Sequence, residues 1–256
     1  MNKRFSLSVV LPIFNDAKAF KSKFPRIFSI LKKLPNIYEI EVIVVDNGSS
    51  DNLKDFIGAD VIYFRLDKPN YGQAINFGIQ KTMYNFVYIL DIDQFDVSFI
   101  TWSWVNRESY SIIFSSKRLD PSLNYQSQLR SFLSWGLNSL LQLLFKLPVS
   151  DTHGQKLINK KLTSNLLKGI LADRGQYDVE LIFKLLSGGY EVAQIPVPYK
   201  ELRPSRNAIF KKILWNTIAL IKLYFRLRPI HYQSTQLTIF SRKRILRENK
   251  EIKILK

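Results

Sequence analysis

The sequence contains no cysteine, which excludes disulfide bonds and cysteine-ligated zinc sites. Histidine is nearly absent, with 2 among 256 residues, which disfavours a metal site built from several histidines. A metal bound by this chain would therefore be held by carboxylate, amide, water and phosphate oxygens. These ligands suit Mg²⁺ or Mn²⁺. The lack of cysteine is also consistent with a reducing compartment.

Long apolar runs are missing as well. The two longest, at residues 133–147 and 213–225, are shorter than the roughly 20 residues that a membrane-spanning helix needs, and polar residues interrupt both. The N-terminus shows no signal-peptide pattern, because its first residues run directly into an apolar strand. We therefore expect a chain that does not cross a bilayer.

Positive charge is plentiful and unevenly distributed. The net charge is +17, and residues 200–256 carry 15 Lys and Arg against 3 Asp and Glu. Such a surplus suits nucleic acid or an anionic membrane. Residues 206–228 alternate basic with large apolar side chains, which is typical of a helix lying in a membrane interface. The alternative is a helix that packs on the domain and turns its basic face to solvent. A nucleic-acid-binding function is the alternative from another class, although no nucleic-acid-binding module is recognisable.

The order of apolar segments predicts an α/β fold. Strands are predicted at residues 7–11, 40–45, 61–66, 86–90, 111–115 and 191–196. Helices are predicted at residues 16–34, with a break at Pro25, and at 72–84, 126–146, 179–186 and 206–228, before a polar, basic tail. Continuously apolar strands that alternate with helices favour a mostly parallel, Rossmann-like sheet flanked by helices. We divide the chain into a domain at residues 1–205 and a basic amphipathic C-terminal extension at residues 206–256.

Two carboxylates, Asp91 and Asp93, directly follow an apolar strand. Because alternate residues of an extended segment face the same way, both can reach one divalent ion. Such an ion would bridge the diphosphate of a nucleotide sugar and neutralise the leaving group. The alternative is a pair of solvated acids in a turn.

Two further polar clusters follow strands. Residues 46–51 read Asp-Asn-Gly-Ser-Ser-Asp, and Asp46 could accept hydrogen bonds from a nucleobase or ribose, although an ordinary turn would have the same composition. Residues 12–16 read Pro-Ile-Phe-Asn-Asp, where a base could stack on Phe14. The alternative places Phe14 in the core and lets Asp16 cap the next helix. Ligands of parallel sheets bind at the carboxyl ends of strands, so we expect all three clusters to meet at one edge.

In order and spacing, these clusters resemble glycosyltransferase family 2, the nucleotide-sugar enzymes of the A-type fold. The resemblance covers residues 5–230, with matching patterns at 12–16, 45–51, 70–74 and 91–93. It implies metal binding by Asp91 and Asp93, with the third contact, from Gln94 or Asp96, left open. The residues expected at the nucleotide sugar are Pro12, Phe14, Asp16, Asp46, Gly72, Asp91 and Ser134.

The second half of the chain resembles the dolichyl-phosphate or polyprenyl-phosphate mannose and glucose synthases. The matching segments are Lys117-Arg118, Arg130 with Ser134 and Asn138, residues 151–156, residues 177–180, and residues 195–198 with Arg203 and Ser205. The resemblance implies that Arg118, Arg130 and Arg203 contact donor and acceptor phosphates and that Asp151 lies near the acceptor. It implies a GDP-mannose or UDP-glucose donor and a lipid phosphate acceptor. Three departures stand out: Asn47 replaces an aspartate, Asp16 replaces a glutamate, and His153-Gly154-Gln155 replaces a Ser-Gly-Phe pattern.

We therefore predict an inverting, metal-dependent glycosyltransferase, cytoplasmic and peripheral at the cytoplasmic face of a membrane, with Asp93 among its catalytic residues. An acceptor phosphate is already ionised at neutral pH, so positioning and charge stabilisation would suffice. One alternative is a family 2 enzyme that acts on a sugar hydroxyl in cell-wall or capsule glycan synthesis, for which Asp151 would be the base. Another is a catalytically silent relative, to which Asn47 and the altered loop at 153–155 would point.

Overall fold

The computed structural model describes residues 4–125, 128–172, 175–200, 209–227 and 237–251. The strands are β1 (Phe5–Ile13), β2 (Ile37–Asp46), β3 (Val61–Arg65), β4 (Phe86–Ile89), β5 (Ile112–Ser116), β6 (Asn124–Tyr125), β7 (Lys156–Asn159), β8 (Val192–Pro196), β9 (Tyr199–Lys200) and β10 (Leu237–Ile239). The helices are α1 (Ala17–Lys32), α2 (Tyr71–Lys81), α3 (Val97–Val105), α4 (Gln128–Phe145), α5 (Lys160–Lys168), α6 (Gln176–Ser187), α7 (Ile209–Leu227) and α8 (Arg242–Glu251).

Eight strands form one sheet in the order β10-β8-β5-β7-β4-β1-β2-β3, and β6 pairs with β9 in a separate two-stranded ladder. Within the large sheet β7 runs antiparallel to β4 and β5, while the other pairings are parallel. The predicted mostly parallel sheet is confirmed. Strand β7 was not predicted, because its four residues carry too little periodicity to distinguish them from a loop.

Helices cover both faces of the sheet, which explains why the central strands are apolar on both sides. On one face, Leu7, Val9 and Leu11 of β1 share a core with buried side chains of α1, α3 and α8. On the other face, Val10 shares a core with buried side chains of α2 and α4 to α7. The carboxyl ends of β1, β2 and β4 are thereby held side by side.

Helix α1 runs without interruption through Pro25, so the predicted break is wrong. Pro25 removes the hydrogen bond to the carbonyl of Lys21, and both residues are exposed, so water can reach this turn of the helix. The rings of Phe20 and Phe24 stack at 4.7 Å, and those of Phe24 and Phe28 at 5.6 Å. This packing stabilises the helix on both sides of the proline.

The polar, basic tail of the sequence contains a strand and a helix. Strand β10 pairs in parallel with β8, and α8 packs against α3, where the Trp102 indole donates to Glu248 Oε2 over 2.5 Å. The predicted domain boundary after residue 205 lies outside the described residues and stays a prediction. Residues 237–251, however, belong to the same sheet and core as the first half of the chain.

Helix α7 packs on the domain through one face. Leu220 and Leu223 are buried, and the Tyr224 ring meets Phe145 of α4 edge-on at 6.0 Å. Arg226 donates to Glu180 of α6 at 2.5 Å. Among the described helices, none has the combination of length and apolar composition that crossing a bilayer requires.

Candidate active site

Asp91 and Asp93 lie in a turn after β4. The turn closes where the Gln94 amide donates to the Asp91 carbonyl over 3.1 Å, so the acids are not on an extended segment as the sequence indicated. Ile92 points into the core and is 2% exposed, while Asp91, Asp93 and Gln94 line a cavity of about 480 Å³. The structure thus brings the three candidate metal ligands together by a different local geometry.

The cavity lies between two walls. The acid turn, residues 91–95, forms one of them. The other is formed by side chains from the end of β5, from β6, from the loop before β7 and from the segment after β8. These are Ser115, Lys117, Tyr125, His153, Gly154, Gln155, Val197, Pro198, Tyr199 and Lys200. The positive charges of Lys117 and Lys200 therefore share one cavity with the two carboxylates.

Asp91 is a buried carboxyl with charges of both signs around it. Burial raises the pKa of the Asp91 carboxyl to about 6; the nearby Asp93 and Asp178 also raise it, whereas Lys156 and Lys117 lower it. The oxygen donors of Asp91, Asp93 and Gln94 fit a hard divalent cation. Within the described part of the chain, no group of three or more His, Cys, Asp or Glu could hold a metal.

Replacing Asp91 with asparagine is expected to stabilise the protein in the presence of EDTA. A folded-state pKa above the ordinary value of 3.8 means that ionisation penalises folding; the penalty is absent below about pH 4 and complete above about pH 6. We expect the free energy of unfolding to rise by about 1–3 kcal/mol at pH 7 and to stay near wild type at pH 4, measured by urea unfolding. The exposed Asp60→Asn is the control, and an equal gain at both pH values would contradict the prediction.

Asp46 ends β2 and is fully buried. Its carboxylate accepts the Ser49 amide at 2.7 Å, the Tyr63 hydroxyl at 2.6 Å and the Arg65 guanidinium at 2.7 Å. Burial alone would raise the pKa of Asp46, but these donors and the Arg65 charge bring it below 3.8. The ionised carboxylate therefore organises this turn, and its contact with a nucleobase stays a prediction.

The end of β1 is tied to the same turn. Asn15 adopts a left-handed backbone (φ 53°), and its side-chain oxygen accepts the Ser50 amide at 2.8 Å. The first amide of α1, at Ala17, donates to Asp51 over 2.8 Å. Asp16 makes no capping hydrogen bond to the described start of α1, so the alternative role of Asp16 as the cap is wrong.

The side chains expected around a nucleotide lie at the same edge. Phe14 is 44% exposed, so its alternative placement in the core is wrong and its ring is accessible for stacking. Pro12 is half-buried and pairs with Val45 in the register of β1 and β2. Gly72 is buried in the first turn of α2.

Asn47 joins the end of β2 to the start of α2. Its side-chain oxygen accepts the Asn70 amide at 2.6 Å, and the Asn70 side chain caps α2 by accepting the Gln73 amide at 3.2 Å. Asn47 is 7% exposed, so this hydrogen bond is buried. The asparagine that replaces the aspartate of the family pattern therefore has a packed structural partner.

The loop before β7 carries the altered family pattern. His153, Gly154 and Gln155 line the cavity, whereas Asp151 lies beneath them at 3% exposure. One Asp151 oxygen accepts the His153 amide at 3.2 Å, and the other, Oδ2, accepts no hydrogen bond from the described residues. Asp151 is therefore a buried carboxylate, close to the residues that line the cavity, with one oxygen that can still accept a hydrogen bond.

A family model, glycosyl transferase family 2, matches residues 8–96, which include most of β1, all of β2 to β4 and the acid turn. The chain carries a glycosyl transferase family 2 domain.

Relatives of this domain extend the similarity to most of the chain. The dolichyl-phosphate beta-glucosyltransferase of Homo sapiens is 26% identical, with coverage of 87% of this chain and 75% of the relative. The fold resembles that of the glucosyl-3-phosphoglycerate synthase of M. tuberculosis (TM-score 0.62, 18% identity, 89% of this chain and 82% of that one). It also resembles the mannosyltransferase PcManGT from Pyrobaculum calidifontis, solved with GDP-Man and Mn²⁺ (TM-score 0.60, 17% identity, 91% and 67%). The central sheet is therefore that of the A-type glycosyltransferase fold.

The described residues include only part of the arginines expected to contact phosphates. Arg118 is not among the described residues that line the cavity, whereas its neighbour Lys117 is. Arg130 and Ser134 lie on α4, and their side chains fall outside the described part, as does all of Arg203. Their roles stay predictions.

The structure distinguishes Gln94 from Asp96 as candidates for the third metal ligand. Gln94 lines the cavity, whereas both Asp96 oxygens accept hydrogen bonds from Arg242, at 3.0 and 3.1 Å. One of them also caps α3 through the Phe99 amide at 2.8 Å. Asp96 therefore acts in packing, and Gln94 is the better placed candidate.

Sequence reasoning missed several residues of the site. Tyr125 and Lys200 reach the cavity from the two-residue strands β6 and β9, which are too short to leave a pattern. The Lys117 ammonium lies 4.4 Å from the ring centre of Tyr199. Lys156 is fully buried, which its charge alone would not have indicated.

Proposed function

We propose that this protein is an inverting glycosyltransferase that moves a hexose from a nucleotide diphosphate sugar to a polyprenyl phosphate. The observation that carries the proposal is the pairing of Asp91 and Asp93 on one cavity at the carboxyl edge of a family 2 sheet. The similarity to a dolichyl-phosphate glucosyltransferase over most of the chain supports a lipid phosphate acceptor. UDP-glucose and GDP-mannose are the candidate donors.

A divalent cation, Mg²⁺ or Mn²⁺, belongs to the proposal. Asp91 and Asp93 would hold it, with Gln94 as the further candidate, and the Mn²⁺ of the Pyrobaculum mannosyltransferase is consistent with this choice. When bound, the cation would neutralise charge on the departing nucleoside diphosphate. Burial raises the pKa of the Asp91 carboxyl, so a bound cation would offset the cost of ionising it inside the protein.

The other site residues are proposed to position the donor and acceptor phosphates. Lys117 and Lys200 place positive charge in the cavity, suited to the phosphates of donor and acceptor. Arg118, Arg130 and Arg203 are proposed to extend this phosphate-binding surface. Because the acceptor phosphate is ionised, its oxygen can attack the anomeric carbon without a general base, and the diphosphate leaves from the opposite side.

A sugar hydroxyl is the second candidate acceptor. Deprotonation of a hydroxyl would need a base, and Asp151 has a buried oxygen without a hydrogen-bond donor among the described residues. In that case the protein would build a cell-wall or capsule glycan on the same donor site.

A donor and acceptor screen tests the proposal. Radiolabelled UDP-glucose and GDP-mannose would be offered with Mg²⁺ or Mn²⁺ to polyprenyl phosphate, to the unphosphorylated polyprenol, and to oligosaccharides. We expect transfer to polyprenyl phosphate only, and its loss with EDTA. Transfer to oligosaccharides alone would establish the second candidate, and neither transfer nor donor hydrolysis would contradict both.

We also propose that the enzyme meets its lipid acceptor through an apolar surface on two packed helices. On α4 the exposed side chains are Phe132, Trp135 and Leu143; on α7 they are Ile218, Ile221 and Phe225. On each helix the three side chains are spaced so that they lie along one face. The exposed Lys222 lies next to the set on α7. Apolar side chains beside basic ones fit an anionic bilayer surface, at the cytoplasmic face in our proposal.

Flotation with anionic vesicles measures this contact. We expect the protein to float at low salt and the Trp135→Ser/Phe225→Ser variant to lose most of its binding, because two large exposed side chains no longer enter the interface. Leu162→Ser removes an exposed leucine from α5 and is the matched control. Equal binding of all three proteins, or none by the wild type, would reject the surface.

A further inference from the structure

Arg242, at the start of α8, reaches the loop that follows the acid turn. Its two terminal nitrogens donate to the two oxygens of Asp96 at 3.0 and 3.1 Å. One of them also donates to the Pro196 carbonyl at 3.3 Å. The pair is largely buried, with side-chain exposures of 16% for Arg242 and 11% for Asp96. Two parallel hydrogen bonds between a guanidinium and a carboxylate are stronger than the contact of an exposed surface ion pair.

The two groups that Arg242 joins each adjoin a segment that lines the cavity, and the two segments belong to different walls. Asp96 follows the acid turn, caps α3, and donates its amide to the Gln155 side chain at 3.2 Å. Pro196 ends β8, and residues 197–200 follow directly as part of the facing wall. One guanidinium thus connects the segment that carries Asp91 and Asp93 to the segment that carries Lys200.

We propose that Arg242 is a positioning residue that sets the distance between the acid turn and the wall at residues 197–200. Arginine is suited to this role because its planar group can serve both Asp96 oxygens and the Pro196 carbonyl at once, whereas a lysine ammonium is a single point. The role in donor binding rests on the proposed function, since it takes the cavity to be the donor site. The bracing of the two walls does not.

The same helix supplies a matched control. Arg244 also forms an ion pair, with Glu248 at 2.7 Å, but its side chain is 56% exposed and both partners lie on α8. Arg244→Gln therefore removes an arginine of α8 without touching the cavity walls. Arg242→Gln removes the connection, and Arg242→Lys keeps the charge without the fork.

Hydrogen exchange and donor kinetics together test the proposal. In Arg242→Gln we expect amides 93–99, the Phe99 amide among them, to exchange at least about tenfold faster, because the Asp96 cap loosens. We expect the KM for the nucleotide sugar to rise about tenfold or more with a smaller change in kcat. Arg242→Lys should fall between this variant and the wild type, and Arg244→Gln should match the wild type in both measurements.

Two results would overturn the inference. Unchanged exchange at residues 93–99 in Arg242→Gln would show that the connection does not brace the turn. Faster exchange with an unchanged KM would show that the bracing does not position the donor. If Arg242→Gln does not fold, the milder Arg242→Lys carries the same two measurements. Absence of transfer by the wild-type protein would instead refute the proposed function, and the exchange comparison would still decide whether the walls are braced.

Discussion

Replacing Asp93 with alanine is expected to reduce sugar transfer by about a hundredfold or more. Its carboxylate shares the cavity with Asp91, and together they are the charged candidates for the divalent cation. A bound cation contributes several kcal/mol of charge stabilisation at the leaving diphosphate, and each 1.4 kcal/mol corresponds to about tenfold in rate. The measurement is transfer from the donor found in the screen, at saturating Mg²⁺ or Mn²⁺.

Two controls separate a site effect from general damage. Asp60→Ala removes an exposed acid just before β3 and should retain wild-type activity. Mn²⁺ binding, followed by the electron paramagnetic resonance signal of the free ion, should weaken in Asp93→Ala and not in Asp60→Ala. Undiminished transfer by Asp93→Ala would remove Asp93 from the site.

Replacing Lys156 with methionine is expected to destabilise the fold by about 3–5 kcal/mol. Lys156 and Asp178 are both completely buried, and their charged atoms are 3.0 Å apart. Among the described residues no donor forms a hydrogen bond to either Asp178 oxygen, so the ammonium is its main compensation. Its removal would leave a carboxylate inside the core without a counter-charge. Urea unfolding at pH 7 measures the loss.

The partner substitution shows whether the loss comes from the stranded charge. Lys156→Met/Asp178→Asn removes both charges, so it should be more stable than Lys156→Met alone. Arg244→Gln breaks an exposed ion pair and should change the free energy of unfolding by less than about 1 kcal/mol. Equal stability of the single and double Lys156 variants would contradict this explanation.

The sequence was sufficient to predict the sheet and the edge at which the site lies. Runs such as that of β4 are apolar because both faces are covered, and a carboxylate directly after such a run stands out against it. Asp91 and Asp93 were visible for that reason, and so was the turn at Asp46. That these acids lie at the same edge of the sheet followed from the parallel direction of the strands.

The same reasoning failed where elements are short or where partners are far apart in the chain. Strand β10 has three residues, and only its pairing with β8 identifies it as a strand. Asp96 and Arg242 are 146 residues apart, so no local pattern could show that this acid is committed to packing. Asp16 looked like a helix cap by position, but its side chain makes no capping hydrogen bond, and Asp51 from the neighbouring turn accepts the Ala17 amide.

By itself, the sequence determined six of the eight strands described in the large sheet and five of the eight described helices. It also determined that any metal site would use oxygen ligands and that Asp91 and Asp93 lie at a strand end. These features depend on local composition and periodicity, which a chain carries along its length. Only the tertiary structure decided how each acid is used. Tyr63 and Arg65 hold Asp46 ionised, Arg242 forms an ion pair with Asp96, and burial raises the pKa of Asp91. The physical reason is that burial and Coulomb interactions depend on distances in space, and those are set when segments remote in the chain pack together.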